Sequence, residues 1–241
     1  MQPEILIKGL QEMQLPADSQ TLSRFEAFHS LLDEYNEKMD LTSVLEEEER
    51  IRRHYLDSVV FLRYFHPSEG DSLIDVGTGA GFPGIPLLLV RLDLKITFLD
   101  AQQKRLSFIE EVLRRLHLQG ETLHLRAEDA GRSPHCRERF DWAVSRAVAS
   151  SAVLQELMLP LVRCGGHSVA WKGPALDEEM ISAKRSAHLL GGRVAQVIRA
   201  EIPGCPQWDH RLMDTVKVTP TPKAYPRKAG TPARKPLGVT D

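Results

Sequence analysis

Cysteine is scarce: the 241 residues hold three, Cys136, Cys164 and Cys205, far apart and without a C-x-x-C pair. That excludes a disulfide framework, gives no zinc-ligand spacing and suits a reducing cytoplasm. Charge of one sign is not in excess, since 31 Lys and Arg against 33 Asp and Glu leave a formal net charge of −2. Without a global positive field, any nucleic-acid contact must come from a local patch. Long apolar runs are also missing. The best, over residues 85–90, is far shorter than a membrane span, and M-Q-P-E-I-L-I-K lacks the basic-then-apolar order of an export signal. A cytoplasmic protein without membrane association is expected. No His-x-x-x-His, paired-Asp or nucleophile-elbow motif occurs, so no metal is expected and hydrolase chemistry finds no support.

What is present is an ordinary globular composition, 42% hydrophobic and 27% charged, long enough for one large domain with an appendage. Leu22, Phe25, Phe28, Leu32, Tyr35 and Met39 recur at three- and four-residue spacing and predict an amphipathic helix capped by Asp18 or Ser19. A second helix is predicted over residues 46–65, with an acidic start and a buried stripe of Ile51, Tyr55, Val59 and Leu62. Residues 1–66 therefore read as a helical extension. His54 and His66 read as packed or surface residues of these helices rather than ligands.

At Ser72 the pattern changes. Strands are predicted over 72–76, 95–99, 123–126, 141–145, 166–171, 193–202 and 211–218, with helices over 85–92, 102–116, 152–162 and 177–190. Such alternation predicts an α/β fold, a seven-stranded and mostly parallel sheet with helices on both faces, over residues 67–219. Residues 220–241 form a third segment, a basic and proline-rich tail in which proline bars regular helix or central strand.

Asp75-Val76-Gly77-Thr78-Gly79-Ala80-Gly81-Phe82-Pro83-Gly84 lies where the first strand turns into a helix, the place where an open α/β sheet binds a nucleotide-like ligand. Gly77, Gly79 and Gly81 let the backbone approach that ligand. From Gly79 the loop also fits the dinucleotide fingerprint, which alone is a weak signal. Asp75 discriminates: a carboxylate there repels a pyrophosphate but attracts the ammonium and sulfonium of S-adenosylmethionine. Asp100, ending the second strand, is placed to accept from both ribose hydroxyls; its alternative role is to cap the helix that follows. Arg126-Ala127-Glu128-Asp129 follows the third strand, where backbone groups can frame an adenine or form a plain turn. Arg146 follows the fourth strand and faces the transfer end of the pocket, unless it is an ordinary surface arginine. A methyltransferase of small molecules or proteins and a non-catalytic nucleotide-binding module both remain open on these residues alone.

Further segments narrow the field. Tyr35-Asn36-Glu37-Lys38-Met39-Asp40-Leu41-Thr42, His54-Tyr55-Leu56-Asp57-Ser58, the D-V-G-T-G-A-G-F-P-G-I-P-L loop, Lys104-Arg105, Arg126-Ala127-Glu128, Ser145-Arg146-Ala147-Val148, Trp171-Lys172-Gly173 and Tyr225-Pro226-Arg227-Lys228 run through nearly the whole chain. Together they resemble the glucose-inhibited division protein B family, known by function as ribosomal RNA small-subunit methyltransferase G. Asp40 stands where that family usually has Asn. The resemblance implies a Rossmann-like class I methyltransferase fold with an N-terminal helical extension, and transfer from S-adenosylmethionine to guanine N7 in a 16S rRNA loop near the decoding site. The expected partner is 16S rRNA in the 30S subunit or an assembly intermediate, met by a monomer. Carried over by position, the cofactor contacts fall on Gly77, Phe82, Ala127, Glu128 and Arg146, to which the fold reasoning adds Gly79, Gly81 and Asp100. Arg146 and Lys172 are candidates for positioning the guanine, with no general base required. Lys104, Arg105, Lys172, Arg227 and Lys228 are the candidate RNA contacts, the last two within a basic cluster that also counts Lys217, Lys223, Arg234 and Lys235; the alternatives for the tail are a solvated end or a Tyr225-to-Lys228 segment folded back onto the sheet to brace Arg146.

Overall fold

The change of pattern at Ser72 is where the sheet begins. The computed structural model describes residues 1–146 and 149–239; Ala147 and Val148 of the S-R-A-V segment lie outside them. Seven strands, β1 (Ser72–Val76), β2 (Lys95–Asp100), β3 (Gly120–His124), β4 (Phe140–Arg146), β5 (Val162–Lys172), β6 (Gly192–Ala200) and β7 (His210–Lys217), lie in the order β3-β2-β1-β4-β5-β7-β6. β1 to β5 are parallel and β7 runs antiparallel to β5 and β6. The chain therefore reverses its winding at β1 and β4, and the carboxyl ends of both strands open on one crevice. β3 starts and ends earlier than its predicted range because Gly120-Glu121-Thr122-Leu123-His124 is a largely exposed edge strand with no apolar run to mark it.

One face of the sheet carries α6 (Gly84–Val90) and α7 (Gln103–Arg115), together with the amino-terminal helices, in a single apolar cluster. The other carries α8 (Ala127–Ala130), α9 (Ser151–Met158) and α10 (Leu176–Leu189). The predicted helix over 21–39 is α2 (Ser19–Met39), whose Asp18 cap accepts from the backbone N–H of Gln20 and Thr21 at 2.9 Å each. It ends at Asp40 with φ +48°, a left-handed position that Asn and Asp tolerate alike. The family's usual Asn and the Asp here thus serve one turn.

Two features depart from the sequence reading. α1 (Pro3–Glu12) precedes α2; its buried Leu6, Leu10 and Met13 recur at four- and three-residue spacing, a short helical stripe not among the predicted helices. Its Gly9 lets the helix lie against Leu56, where a Cβ would meet that side chain at 2.5 Å. The helix predicted over 46–65 is broken into α3 (Glu47–Arg50), a π-helical turn (Ile51–Leu56), α4 (Asp57–Val59) and α5 (Phe61–Tyr64). Hydrophobic spacing does not distinguish a π turn from an α turn, yet such turns gather at functional sites because they re-aim side chains.

The tail is folded against the sheet unit. Thr221, Pro226 and Pro232 are buried, and a single helical turn, α11 (Thr231–Arg234), has proline in its first turn, where the missing N–H costs nothing. Among the described residues, no helix is long and apolar enough to cross a membrane.

Candidate active site

The glycine turn is built from its own backbone. Gly77, Gly79 and Gly81 all take positive φ, at 72°, 56° and 90°, which bars other side chains. Gly77 and Thr78 donate to the carbonyl of Leu99 at 2.8 and 3.1 Å, locking the turn across β1 and β2. Asp75 is wholly buried beneath it; Oδ2 accepts from the Thr78 hydroxyl at 2.7 Å and the Gly84 N–H at 2.9 Å, while Oδ1 has no partner. Burial pushes its pKa up to about 6 against the pull of those two donors. A buried carboxylate oxygen without a donor beneath a cradle of bare backbone fits a ligand that brings an ammonium group.

Asp100 ends β2, and both of its carboxylate oxygens are engaged within the fold. Its Oδ1 accepts from Gln102 N–H at 2.8 Å, just ahead of α7, and its Oδ2 accepts from Gly79 N–H at 3.0 Å, so it holds the glycine turn. Arg105 lies over the turn, its guanidinium 3.2 Å from where a Gly79 Cβ would stand. Lys104 is exposed and donates to the Lys38 carbonyl at 3.3 Å.

Arg146 is no ordinary surface arginine. It donates to the Arg53 carbonyl at 2.7 Å and to Asp57 Oδ2 at 3.0 Å, approaches His54 Nδ1 at 3.3 Å, and lies over the Phe82 ring at 5.1 Å. His54 stacks on Phe82 with centroids 4.5 Å apart and bonds Thr42 Oγ1 through Nε2 at 2.7 Å. Burial and the neighbouring Arg146 charge lower the His54 pKa to about 3. His54 is thus a packed residue of these helices, as the sequence reads, and what it packs on is Phe82 and Arg146. Asp57, held by the same re-aimed turn, bonds His210 through its other oxygen at 2.8 Å. Neither Asp57 nor His210 stands out in the sequence by itself; the His54-to-Ser58 segment is the only signal. Lys172 lines the same cleft as Arg146, His54, Asp57 and His210, an open space of about 360 Å³. Its Nζ is engaged with Glu179 at 2.8 Å and the Ala149 carbonyl at 3.1 Å.

Two candidates have side chains already engaged within the fold. Glu128, at the start of α8, accepts from the tail's Gly230 N–H at 2.8 Å, leaving Ala127 and Glu128 to offer backbone rather than carboxylate. Arg227 is not free for RNA phosphate: it clasps the fully buried Glu156 through Nε at 2.9 Å and a terminal nitrogen at 2.6 Å, and its backbone N–H adds a third bond at 2.7 Å. Lys217 leaves the basic cluster as well, buried between Glu138, Thr221 and the Leu159 carbonyl. Lys228 stays exposed. Among the described residues no group of three or more His, Cys, Asp or Glu is gathered to hold a metal.

Solved structures share this fold. A geranyl diphosphate methyltransferase in complex with S-adenosylmethionine aligns with a TM-score of 0.53 at 13% identity, over 67% of this chain and 84% of that one. A fibrillarin–Nop5p complex aligns at 0.52 and 12% identity, over 68% and 81%. Sheet order, glycine turn and flanking helices define a class I methyltransferase. A family model described as rRNA small subunit methyltransferase G matches residues 21–205. Ribosomal RNA small subunit methyltransferase G of Clostridium beijerinckii is 39% identical over 97% of this chain and 98% of its own length, and that of Clostridium botulinum (strain Eklund 17B) 40% identical over the same shares. The chain belongs to the rRNA small subunit methyltransferase G family.

Proposed function

We propose that this chain methylates N7 of a guanine in 16S rRNA, in the loop near the decoding site, and that it acts as a cytoplasmic monomer on the 30S subunit or an assembly intermediate. The observation that carries the reading is the joining, at one sheet edge, of a glycine turn over an unpartnered buried carboxylate to an open cleft lined by Arg53, Arg146 and Lys172. S-adenosylmethionine, when bound, supplies an electrophilic methyl group. Gly77, Gly79 and Gly81 bring bare backbone to it, Asp75 Oδ1 takes its ammonium, Asp100 stands at the ribose position, and Ala127 and Glu128 frame the adenine with backbone. Residues 1–66 serve to aim Arg146 and Phe82, residues 67–219 carry the cofactor, and residues 220–241 brace the adenine side through Gly230 and Glu128. Lys104, Arg105 and Lys228 provide the exposed positive charge for RNA.

Guanine N7 carries a free lone pair, so no proton is removed before transfer. What the chain must supply is alignment and exclusion of water. His54 suits that role, being uncharged with both ring nitrogens facing partners. Incubation with labelled methyl donor and 30S subunits, free 16S rRNA or total protein tests the reading; label in 16S rRNA at N7 is expected, and label in protein alone overturns it. S-adenosylhomocysteine should raise the melting temperature while NAD leaves it unchanged.

A pH dependence follows from Asp75. Its folded pKa of about 6 lies above the ordinary 3.8, so ionisation costs the ligand-free fold stability as pH rises through that window, and an ammonium ligand relieves the cost. S-adenosylhomocysteine affinity should therefore weaken below about pH 6, measured by calorimetry. Turnover on saturated enzyme should stay flat from about pH 6.5 to 8.5 because no base titrates. In Asp75→Asn the affinity should be weak and independent of pH; a retained pH profile counts against this role.

A further inference from the structure

Methylation at N7 turns one edge of the guanine, N7 and O6, toward the methyl donor. The opposite edge, with N1–H and the 2-amino group, then points away from the cofactor and needs acceptors. The groups lining the cleft are mostly donors: Arg53, Arg146 and Lys172, with Trp171 giving its indole N–H to the Asp57 carbonyl at 2.8 Å. Of the acceptors on the same wall, His54 and Asp57 have both ring nitrogens and both oxygens engaged, which leaves His210. Its Nδ1 lies 2.8 Å from Asp57 Oδ1; a carboxylate only accepts, so Nδ1–H faces Asp57, the tautomer that leaves the imidazole lone pair on Nε2. Among the described residues Nε2 has no hydrogen-bond partner, and the side chain is 31% exposed on the cleft wall.

The ring is held firmly. Trp208 stacks on it at 5.0 Å with 30° between planes, and Arg53 lies over Trp208 at 4.9 Å. Asp57, only 5% exposed, is in turn fixed by Arg146. One carboxylate thus sets both the arginine over Phe82 and the tautomer of the histidine across the cleft. An Asp–His pair of this form also suits a general base, but a lone-pair nucleophile leaves it nothing to abstract.

We propose that His210 Nε2 is the acceptor that reads the Watson–Crick edge of the target guanine, with Asp57 as the residue that fixes its tautomer. Adenine, which offers a lone pair at N1, would place two acceptors face to face. The inference rests on the guanine-N7 reading above. The test uses the full chain and a 16S rRNA fragment carrying guanosine, inosine (no 2-amino group) or 2-aminopurine (no N1–H) at the target. Wild-type enzyme should lose about tenfold in kcat/KM on at least one analogue, the size of one hydrogen bond to a neutral group. His210→Phe keeps the stack on Trp208 and removes both nitrogens; it should be about tenfold slower on guanosine and lose no further rate on that analogue. S-adenosylhomocysteine affinity should stay within error of wild type while the melting temperature falls, because Asp57 Oδ1 loses its donor; His210→Gln, with an amide that both donates and accepts, should restore part of the discrimination. A His210→Phe enzyme that discriminates as wild type does overturns the assignment, as does a wild type indifferent to both analogues. Failure of the wild type to label guanosine itself overturns the rRNA reading, which is a distinct outcome.

Discussion

Arg227→Gln is expected to destabilise the protein by about 3 kcal/mol, lowering Tm by roughly 6 to 12 °C for a domain of this size. Glu156 on α9 is fully buried and meets Arg227 by side chain and backbone; without the guanidinium its charge is left buried and unpaired. The partner change Glu156→Gln combined with Arg227→Gln should recover much of the loss, because two neutral amides can pair where a lone carboxylate cannot. Since the tail also delivers Gly230 N–H to Glu128, affinity for S-adenosylhomocysteine should fall in the single variant. RNA binding should show the opposite division. Arg227→Gln leaves the salt dependence as it was, whereas Lys228→Gln, at an exposed position, flattens its logarithmic slope by roughly 0.7 to 0.9. A flattened slope in Arg227→Gln with unchanged cofactor affinity would return Arg227 to the RNA interface.

Arg146→Ala should lower kcat/KM on 16S rRNA roughly 10- to 150-fold, the range for losing one hydrogen bond to a charged group. Asp57 then lies buried without its guanidinium, and the face of Phe82 loses the cation above it at 5.1 Å. Lysine at this position is not conservative. It replaces a planar fork that touches Arg53, Asp57 and His54 together by a single point of charge, so Arg146→Lys should recover little. Single-turnover rates beside S-adenosylhomocysteine affinities separate alignment from binding; a variant with full turnover at saturating substrates would place Arg146 outside the transfer step.

Much of the frame is legible in the residues. The alternation after Ser72, the glycines before Phe82 and the acid at Asp100 each depend on local rules: period, left-handed turns, and a side chain at a strand's carboxyl end. These rules operate over a few residues, so reading them needs no knowledge of what packs where. What Asp100 holds in the fold, the N–H groups of Gln102 and Gly79, is less legible, because the second of these comes from the neighbouring strand's turn.

What each charged side chain is free to do depends on contacts made across the folded chain. A basic, proline-rich tail reads as an RNA contact because its buried acid, Glu156, lies 71 residues earlier in the chain. Asp57 and His210 are 153 positions apart, and His54 faces Phe82 only because a helix that looks regular in its spacing contains a π turn. Periodicity records which residues avoid water, and it is silent on ion pairs whose partners come from distant segments. Local chemistry along the chain was enough to specify the sheet, the glycine cradle and the class of ligand; folding determined which arginine reaches the site and which is already spent on a buried carboxylate.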